Sequence, residues 1–319
     1  MSAGTTPRGA RFLGLGAHRP ARVVTNDDLA KSLETNDEWV QQRVGIASRL
    51  IAADDETVAD MGVIAGGKAL AAAGVEPEDI DLVLLASCSL PTPIPGRAPE
   101  VAARLGAGGG GAGAVDVNGA CAGFCYAVSW AADAVKAGSA EHVLVVASER
   151  LSDYTDWTDR STAVIFADGA GAAVIGPAEV DEISRPVWGS DGTRSSAIEA
   201  TKEDPYMRME GQAVFRWATA LSTVARQACE VAGIEPSELA AFVPHQANLR
   251  IVESLARNLG APQAYLSRDI VDTGNTSAAS IPQALTRMIE RGDVSSGDPV
   301  LLLAFGAGLT YAGQVVRMP

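Results

Sequence analysis

Short, unbroken apolar runs recur along the chain at 82–86 (LVLLA), 143–147 (VLVVA), 240–243 (AAFV) and 300–304 (VLLLA), each bounded by polar turn residues. Runs of this kind predict strands buried on both faces, as in a mainly parallel sheet covered by helices. Alanine-rich helical patterns precede two of them and end in the related phrases AGVEPEDI (73–80) and AGIEPSEL (232–239). Each phrase reads as a helix ending at an Ala-Gly cap, an acidic-Pro turn, and entry into a strand. The two copies lie about half a chain apart, and 143–147 matches 300–304 at nearly the same offset. Three elements thus repeat in the same order. With only two copies, the pattern is a duplicated α/β unit and not a solenoid array. No Pro/Ser-rich linker separates the halves, which predicts a shared interface. Segments 106–113 and 190–204, Gly-rich or polar with little periodicity, read as surface loops.

Composition narrows the class. The chain has 319 residues, 47% hydrophobic and only 5% aromatic, with 33 glycines, which suits close helix-on-sheet packing and excludes disorder and collagen. A net charge of −14 argues against a phosphate-tracking surface, so nucleic acid is not an expected partner. Residues 1–16 lack the apolar core of a signal peptide, and no stretch approaches a membrane span. The expectation is a soluble, cytoplasmic protein with no membrane partner. Cys88, Cys121, Cys125 and Cys229 are too few for a disulfide scaffold in a chain this long, and none has metal-ligand spacing. No metal site is expected.

Candidate chemistry sits where predicted strands end. Val115 and Val117 lead into NGACAG (118–123), and a helical pattern then runs to Ala137 and its Gly138 cap. Cys121 therefore lies at a strand-to-helix junction, where helix N–H groups and the dipole are expected to lower the thiol pKa and make a nucleophile. A small core cysteine is the competing reading, and Cys125, one turn later, takes it. His245 follows Pro244 at the carboxyl end of a repeated strand, the usual place for a site in α/β sheets. His18 and His142 lack such a setting and read as surface residues. The cluster 273–280 precedes a helical pattern over 281–291; its hydroxyls are either helix caps or companions to Asn275, whose amide could serve an oxyanion. The turn FGAG (305–308) ends the last repeated strand and can present backbone N–H groups.

Cys, His and Asn together also occur in papain-like proteases, but neither their order nor the duplicated α/β setting fits. The motifs GACAGF, VPHQANLRI, GNTSAASIP and FGAGLTYAG, with NDEWVQQRVGI and FADGAGAAVIG, closely resemble β-ketoacyl-acyl carrier protein synthase III of the thiolase superfamily. The resemblance spans essentially the whole chain, in family order. It implies a five-layered αβαβα fold with internal duplication and a homodimer. One half, 1–176, holds the nucleophile; the other, 177–319, holds His and Asn.

The implied activity is decarboxylative condensation of an acyl-CoA primer with malonyl-acyl carrier protein, initiating fatty acid synthesis. The implied roles are Cys121 as acyl acceptor, His245 and Asn275 as partners, and the backbone N–H groups of Cys121 and Ala307 as oxyanion donors. Many relatives have Gly at position 307. Trp39, Arg43, Arg160, Gly211 and Asn248 match CoA-contacting positions, and Arg216, Arg250 and Arg257 match a carrier-protein docking patch. Ile94 matches the residue that closes the partner's acyl pocket. Coenzyme A enters as a thioester substrate, with no further cofactor. A polyketide starter ketosynthase, an acyl-Cys acyltransferase that does not decarboxylate, and a non-catalytic scaffold are the alternatives; intact Cys, His and Asn count against the scaffold.

Overall fold

The computed structural model describes residues 9–319. The reading of 1–16 as lacking a leader falls largely on residues outside those described. Ten strands build two five-stranded sheets. The first uses β1 (Gly9–His18), β2 (Leu82–Ala86), β3 (Gly113–Val117), β4 (Val143–Arg150) and β5 (Asp168–Ala178). The second uses β6 (Val187–Ser190), β7 (Ala241–Pro244), β8 (Tyr265–Leu266), β9 (Pro299–Gly306) and β10 (Thr310–Arg317). Their orders, β3-β2-β4-β5-β1 and β8-β7-β9-β10-β6, correspond strand for strand.

The directions match as well. β2 is parallel to β3 and β4, and β5 is antiparallel to β4 and β1. In the second sheet β7 is parallel to β8 and β9, and β10 is antiparallel to β9 and β6. The duplication read from two short phrases therefore extends through the whole topology. The phrases fold as expected: helices end at Gly74 and Gly233 in the left-handed region (φ 63° and 70°), and 3₁₀ turns over Pro77–Asp79 and Pro236–Glu238 lead into the strands.

Eight helices matter for the site: α1 (Asp37–Val44), α2 (Val58–Ala73), α3 (Ala98–Leu105), α4 (Gly123–Ala137), α5 (Gly211–Ala220), α6 (Ser222–Ala232), α7 (Leu249–Leu259) and α8 (Ser280–Arg291). Helices α4 and α8 fill the space between the sheets, which is why α4 is apolar around most of its circumference, with Phe124, Val128, Ala131 and Val135 all buried. Helices α2 and α3 cover the outer face of the first sheet, and α6 and α7 cover that of the second. The layers run αβαβα, so the junctions entering α4 and α8 and the end of β7 meet at one level between the sheets.

Several expectations are corrected. The 176/177 division cuts β5 two residues before its end at Ala178. Segment 190–204 is not simply a loop: a 3₁₀ stretch over Gly192–Ala197 is followed by Ile198–Glu199, which pairs antiparallel with Arg208–Met209. Within 106–113, Ala107–Gly110 forms a 3₁₀ turn and Gly113 already starts β3. His18 is not a surface residue, because its side chain is only 16% exposed, with Nε2 2.5 Å from Glu56 Oε1. His142 is half-buried, its Nδ1 3.3 Å from the Asp79 carbonyl oxygen. No helix among the described residues is long and apolar enough to cross a membrane.

Candidate active site

Cys121 lies in the one-turn 3₁₀ segment Ala120–Ala122 between β3 and α4. Ala120 takes a left-handed φ of 45°, a strained value for a non-glycine residue, so the chain turns sharply just before the cysteine. The thiol does not behave as its position alone suggests. Burial raises its pKa to about 11, outweighing the Ser277 hydroxyl and the N–H groups of Cys121 and Ala307, which favour the thiolate; nearby Glu149 opposes it. Dipole and hydrogen bonds thus offset only part of the desolvation. Cys125 is a fully buried core cysteine, its pKa pushed up to about 12 by burial.

The β9 end packs directly on Cys121. Gly306 is extended, and a Cβ there would lie 2.6 Å from Cys121 Cβ. The next residue, Ala307, has no positive φ, so its methyl group leaves the backbone N–H available to the sulfur. The turn calls for glycine at 306, by close packing, and at 308, by a left-handed φ of 71°; at 307 alanine suffices.

His245 leaves β7 with its backbone N–H donated to the Leu303 carbonyl oxygen at 2.8 Å and its side chain 2% exposed. Its Nδ1 is 2.8 Å from Ser280 Oγ, which also accepts the Gln246 N–H at 3.3 Å. The Phe305 ring meets the imidazole edge-to-face, centroids 5.3 Å apart. Burial lowers the histidine pKa to about 3, so the ring is neutral. Ser280 Oγ accepts the Gln246 N–H and has no other acceptor for its own proton among the described residues, so that proton is assigned to Nδ1 and the ring proton to Nε2.

Asn275 is equally fixed. Its N–H donates to the Ile165 carbonyl oxygen and its own carbonyl accepts from Ala167, both at 2.9 Å. Gly274 before it has φ 74°, and a Cβ there would come within 2.7 Å of Ala167 Cβ. Ser277 N–H donates to Asn275 Oδ1 at 2.8 Å. That contact consumes the acceptor and leaves the amide N–H₂ as the free end. No side chain of 273–280 caps α8, so the helix-cap reading of the cluster is not borne out.

A cavity of about 650 Å³ connects these groups to solvent, with Cys121, His245, Asn275, Gly306 and Ala307 among its lining. Trp39, Arg43, Arg160, Gly211, Asn248, Arg216 and Arg250 also line it. Arg160 and Arg43 lie 5.1 and 5.6 Å from the Trp39 ring centroid. A planar ring between Trp39 and Arg160 needs about 7 Å, two contact distances of about 3.5 Å, so the guanidinium must swing away to admit one. Asn248 caps α7 by accepting the Arg250 N–H at 2.9 Å, and its amide reaches the Arg43 carbonyl oxygen at 3.4 Å. Arg250 stands 5.4 Å over Phe215. Arg257, two turns further along α7, is exposed and outside the lining, as is Ile94, which is 85% exposed.

The sequence reading missed part of the lining and support. Cys88, Ser277, Met207 and Met209 line the same cavity, and Ser280 orients the histidine. The hydroxyls of GNTSAASIP carried a signal for the two serines. Met209 ends a two-residue strand, Arg208–Met209, too short to show any period, and Met207 immediately precedes it. No group of three or more His, Cys, Asp or Glu residues suited to a metal occurs among the described residues.

This duplicated five-layer arrangement, with the cavity between the halves, is that of the thiolase-fold condensing enzymes. Family models described as 3-oxoacyl-[acyl-carrier-protein] synthase III and its C-terminal part match residues 115–192 and 229–318. The chain is 50% identical over 316 residues to β-ketoacyl-[acyl-carrier-protein] synthase III 4 of Streptomyces coelicolor, covering 98% of this chain and 99% of the relative. It is 46% identical to the mycobacterial β-ketoacyl-[acyl-carrier-protein] synthase III of Mycobacterium avium, covering 100% and 98%. Among solved structures, the priming β-ketosynthase of the R1128 polyketide pathway matches with a TM-score of 0.96 at 45% identity, covering 100% of this chain and 98% of that one. The synthase III of Aquifex aeolicus matches with a TM-score of 0.92 at 39% identity, covering 97% and 100%. The chain belongs to the β-ketoacyl-acyl carrier protein synthase III family and is a condensing enzyme of that type.

Proposed function

We propose that this enzyme moves an acyl group from acyl-CoA onto Cys121 and condenses it with malonyl-acyl carrier protein, releasing CO₂ and a 3-ketoacyl-carrier product. The observation that carries this reading is the pair of capped acceptors. Ser280 at His245 Nδ1 and Ser277 N–H at Asn275 Oδ1 leave two neutral N–H donors for a shared target. Decarboxylation of malonyl thioester creates an enolate oxygen that needs such donors and would be repelled by a carboxylate. The Cys121 and Ala307 N–H groups take the tetrahedral oxyanion, first when CoA leaves and again when the carbanion attacks the acyl-cysteine.

Delivery follows from the cavity mouth. Trp39 and Arg160 stack the adenine of CoA once the guanidinium swings out, and Arg43 meets its phosphates. Gly211 and Asn248 line the pantetheine path; beside Gly211 a Cβ would meet nothing within 4 Å, so the wall there is open. Arg216, Arg250 and Arg257 receive the acidic carrier protein, a local positive patch on a chain of net charge −14.

Two copies of the chain complete the acyl pocket. Among the described residues the β3 edge of the first sheet has no partner strand, and Val115, Trp130 and Ile94 are exposed at 51%, 47% and 85%. Pairing two such edges covers this surface and carries Ile94 toward the other copy. An isoleucine wall in place of a bulky aromatic one leaves room for a branch or an added methylene, worth about 0.8 kcal/mol of burial. Branched or medium-chain primers are therefore used at least as well as acetyl-CoA. A polyketide starter role is the second reading, favoured by the TM-score of 0.96 to a polyketide priming ketosynthase.

The test is kcat/KM for acetyl-, isobutyryl- and hexanoyl-CoA with malonyl-acyl carrier protein, scored by 3-ketoacyl product. Product with every competent primer supports condensation, and an acetyl preference unaltered by Ile94→Phe would refute the pocket assignment. Acyl transfer to the carrier without CO₂ release would refute decarboxylative condensation.

A further inference from the structure

Between Ala197 and Glu210 the chain makes an antiparallel excursion that forms part of the cavity wall. Ile198–Glu199 pairs with Arg208–Met209, and the Glu210 N–H donates to the Ala197 carbonyl oxygen at 2.9 Å, closing its base. Neighbours in an extended segment face opposite sides. Met207 and Met209 accordingly line the cavity, and Arg208 between them does not. The wall they form is apolar: both methionines and Cys88 pack against a buried cluster that includes Leu151, Val164 and Phe166. Cys88, Leu151 and Phe166 line the cavity together with Cys121, whereas the rest of the lining carries Arg43, Arg160 and Arg250. The apolar tail of an acyl group on Cys121 is therefore best buried against the methionines. Methionine is unbranched and flexible, so such a wall takes the shape its backbone imposes.

Two sets of contacts tie that backbone to the first half of the chain. The Met207 N–H donates to the Tyr154 carbonyl oxygen at 2.7 Å. Arg208, on the opposite side, reaches into three carboxylates. Its Nε and Nη2 lie 2.7 and 3.4 Å from the two oxygens of Asp204, and its Nη1 lies 3.0 Å from Asp156 Oδ2 and 3.4 Å from Asp159 Oδ2. Asp204 belongs to the excursion itself. Asp156 and Asp159 follow Tyr154 and are held by their own turns: Asp156 Oδ1 accepts the Thr158 N–H and hydroxyl at 3.0 and 2.6 Å, and Asp159 accepts those of Ser161 at 2.8 and 2.7 Å. One forked cation thus bridges two segments that otherwise present like charge to each other. Among the described residues no other side chain of 198–209 forms an ion pair with the first half. Each pair is partly exposed and weak alone; the bridge matters because one guanidinium serves three partners.

We propose that Arg208 is a positioning residue for primer selection: by bridging Asp204 to Asp156 and Asp159 it holds Met207 and Met209 against the acyl tail and sets how long a primer Cys121 accepts. The inference rests on the acyl-enzyme reading above. It is separate from the Ile94 wall, which the other copy supplies, because Arg208 acts within one copy, through the backbone of its neighbours, and touches no substrate. With the guanidinium gone, the carboxylates of Asp156, Asp159 and Asp204 are left facing one another. Their repulsion moves the excursion outward and opens space beside the methionines. Each further methylene buried there raises the rate about fourfold. An acetyl group is too short to gain from it.

The test is the second-order rate of Cys121 acylation by acetyl-, hexanoyl- and decanoyl-CoA, read by intact mass after acid quench, in wild type, Arg208→Gln and Arg208→Lys. In Arg208→Gln the decanoyl-to-acetyl rate ratio is expected to rise about tenfold, as one or two further methylenes find room, with the acetyl rate nearly unchanged. The rise should shrink at high salt, which screens the three carboxylates. It should be smaller in Arg208→Lys, whose ammonium keeps the charge and not the fork. If Arg208→Gln does not fold, Asp156→Asn combined with Asp159→Asn, which cuts the bridge from its other side, decides by the same ratio. A ratio at or below the wild-type value, or an equal loss with all three primers, would overturn the inference while leaving the acyl-enzyme reading intact. A wild type acylated on Cys121 by none of them would instead sink that reading, and this inference with it.

Discussion

Cys121 and Gly306 are packed so closely that a methyl group on the glycine would lie 2.6 Å from the cysteine Cβ and 2.9 Å from its sulfur. Cys121 comes from the first half of the chain and the surface that seats it from the second. Their contact turns an internal duplication into one site.

Gly306→Ala is therefore expected to displace Cys121 and not to fill a void. Overpacking of this kind costs about 1–3 kcal/mol, and a shift of about 1 Å in a reacting atom lowers a rate by about 10²-fold. Thermal denaturation and the rate of Cys121 acylation check the two effects separately. An unchanged acylation rate would show that the contact does not position the sulfur.

Asn275→Asp should lower malonyl decarboxylation by about 10²- to 10³-fold while affecting acylation much less, because the amide acts on the enolate. Ser277 N–H already occupies Oδ1 at 2.8 Å, so an aspartate would direct its second carboxylate oxygen at the developing negative charge. Measuring CO₂ release and acyl-enzyme formation in the same variant tests this. Equal losses would reduce Asn275 to a structural role.

The neutral His245 carries a pH signature. Its folded pKa, near 3, lies below the ordinary value of 6.5, so the unfolded chain binds the extra proton first. The stability linked to this residue is complete above about pH 6.5 and falls, by at most about 1.4 kcal/mol per pH unit, as pH drops toward 3. Chemical denaturation from pH 7 to 4 should thus show a steeper loss in wild type than in His245→Gln. Decarboxylation should show no inflection near pH 6.5; a clear one would mean that the imidazole titrates.

Charge reversal at Arg250 or Arg216 should raise KM for malonyl-acyl carrier protein by about tenfold at low salt and leave acyl-CoA acylation nearly intact. Both are exposed at the cavity mouth, and the effect should shrink as ionic strength rises. Steady-state kinetics at two salt concentrations suffice, and a salt-independent loss would point to disrupted packing against Phe215.

What the sequence made legible follows from which forces act locally. The helix, glycine cap, turn and buried strand around 73–86 and 232–243 are set by short-range chemistry, and they foretold a duplicated α/β unit; the matching strand order of the two sheets depends on tertiary pairing that no local phrase encodes. Cys121, His245 and Asn275 stood out because each follows a strand end or a turn rich in small residues. The thiol pKa was misjudged because the dipole is a local property, whereas desolvation depends on every layer packed around the site. His18 met its partner Glu56 only through tertiary packing. Met207 and Met209 reach the cavity from just before and at the end of a strand two residues long, below the length at which alternation has meaning.

The most direct test of the acyl-cysteine condensation is a mass-spectrometric pulse and chase. Wild-type protein is incubated with one equivalent of isotopically labelled acyl-CoA, mapped by peptide, and then mixed with malonyl-acyl carrier protein. The label should appear on Cys121 alone, disappear on the chase, and emerge in the 3-ketoacyl-carrier product, with none of this in Cys121→Ala. Label on Cys88 or Cys125, or an acyl-Cys121 that malonyl-acyl carrier protein cannot discharge, would contradict the mechanism.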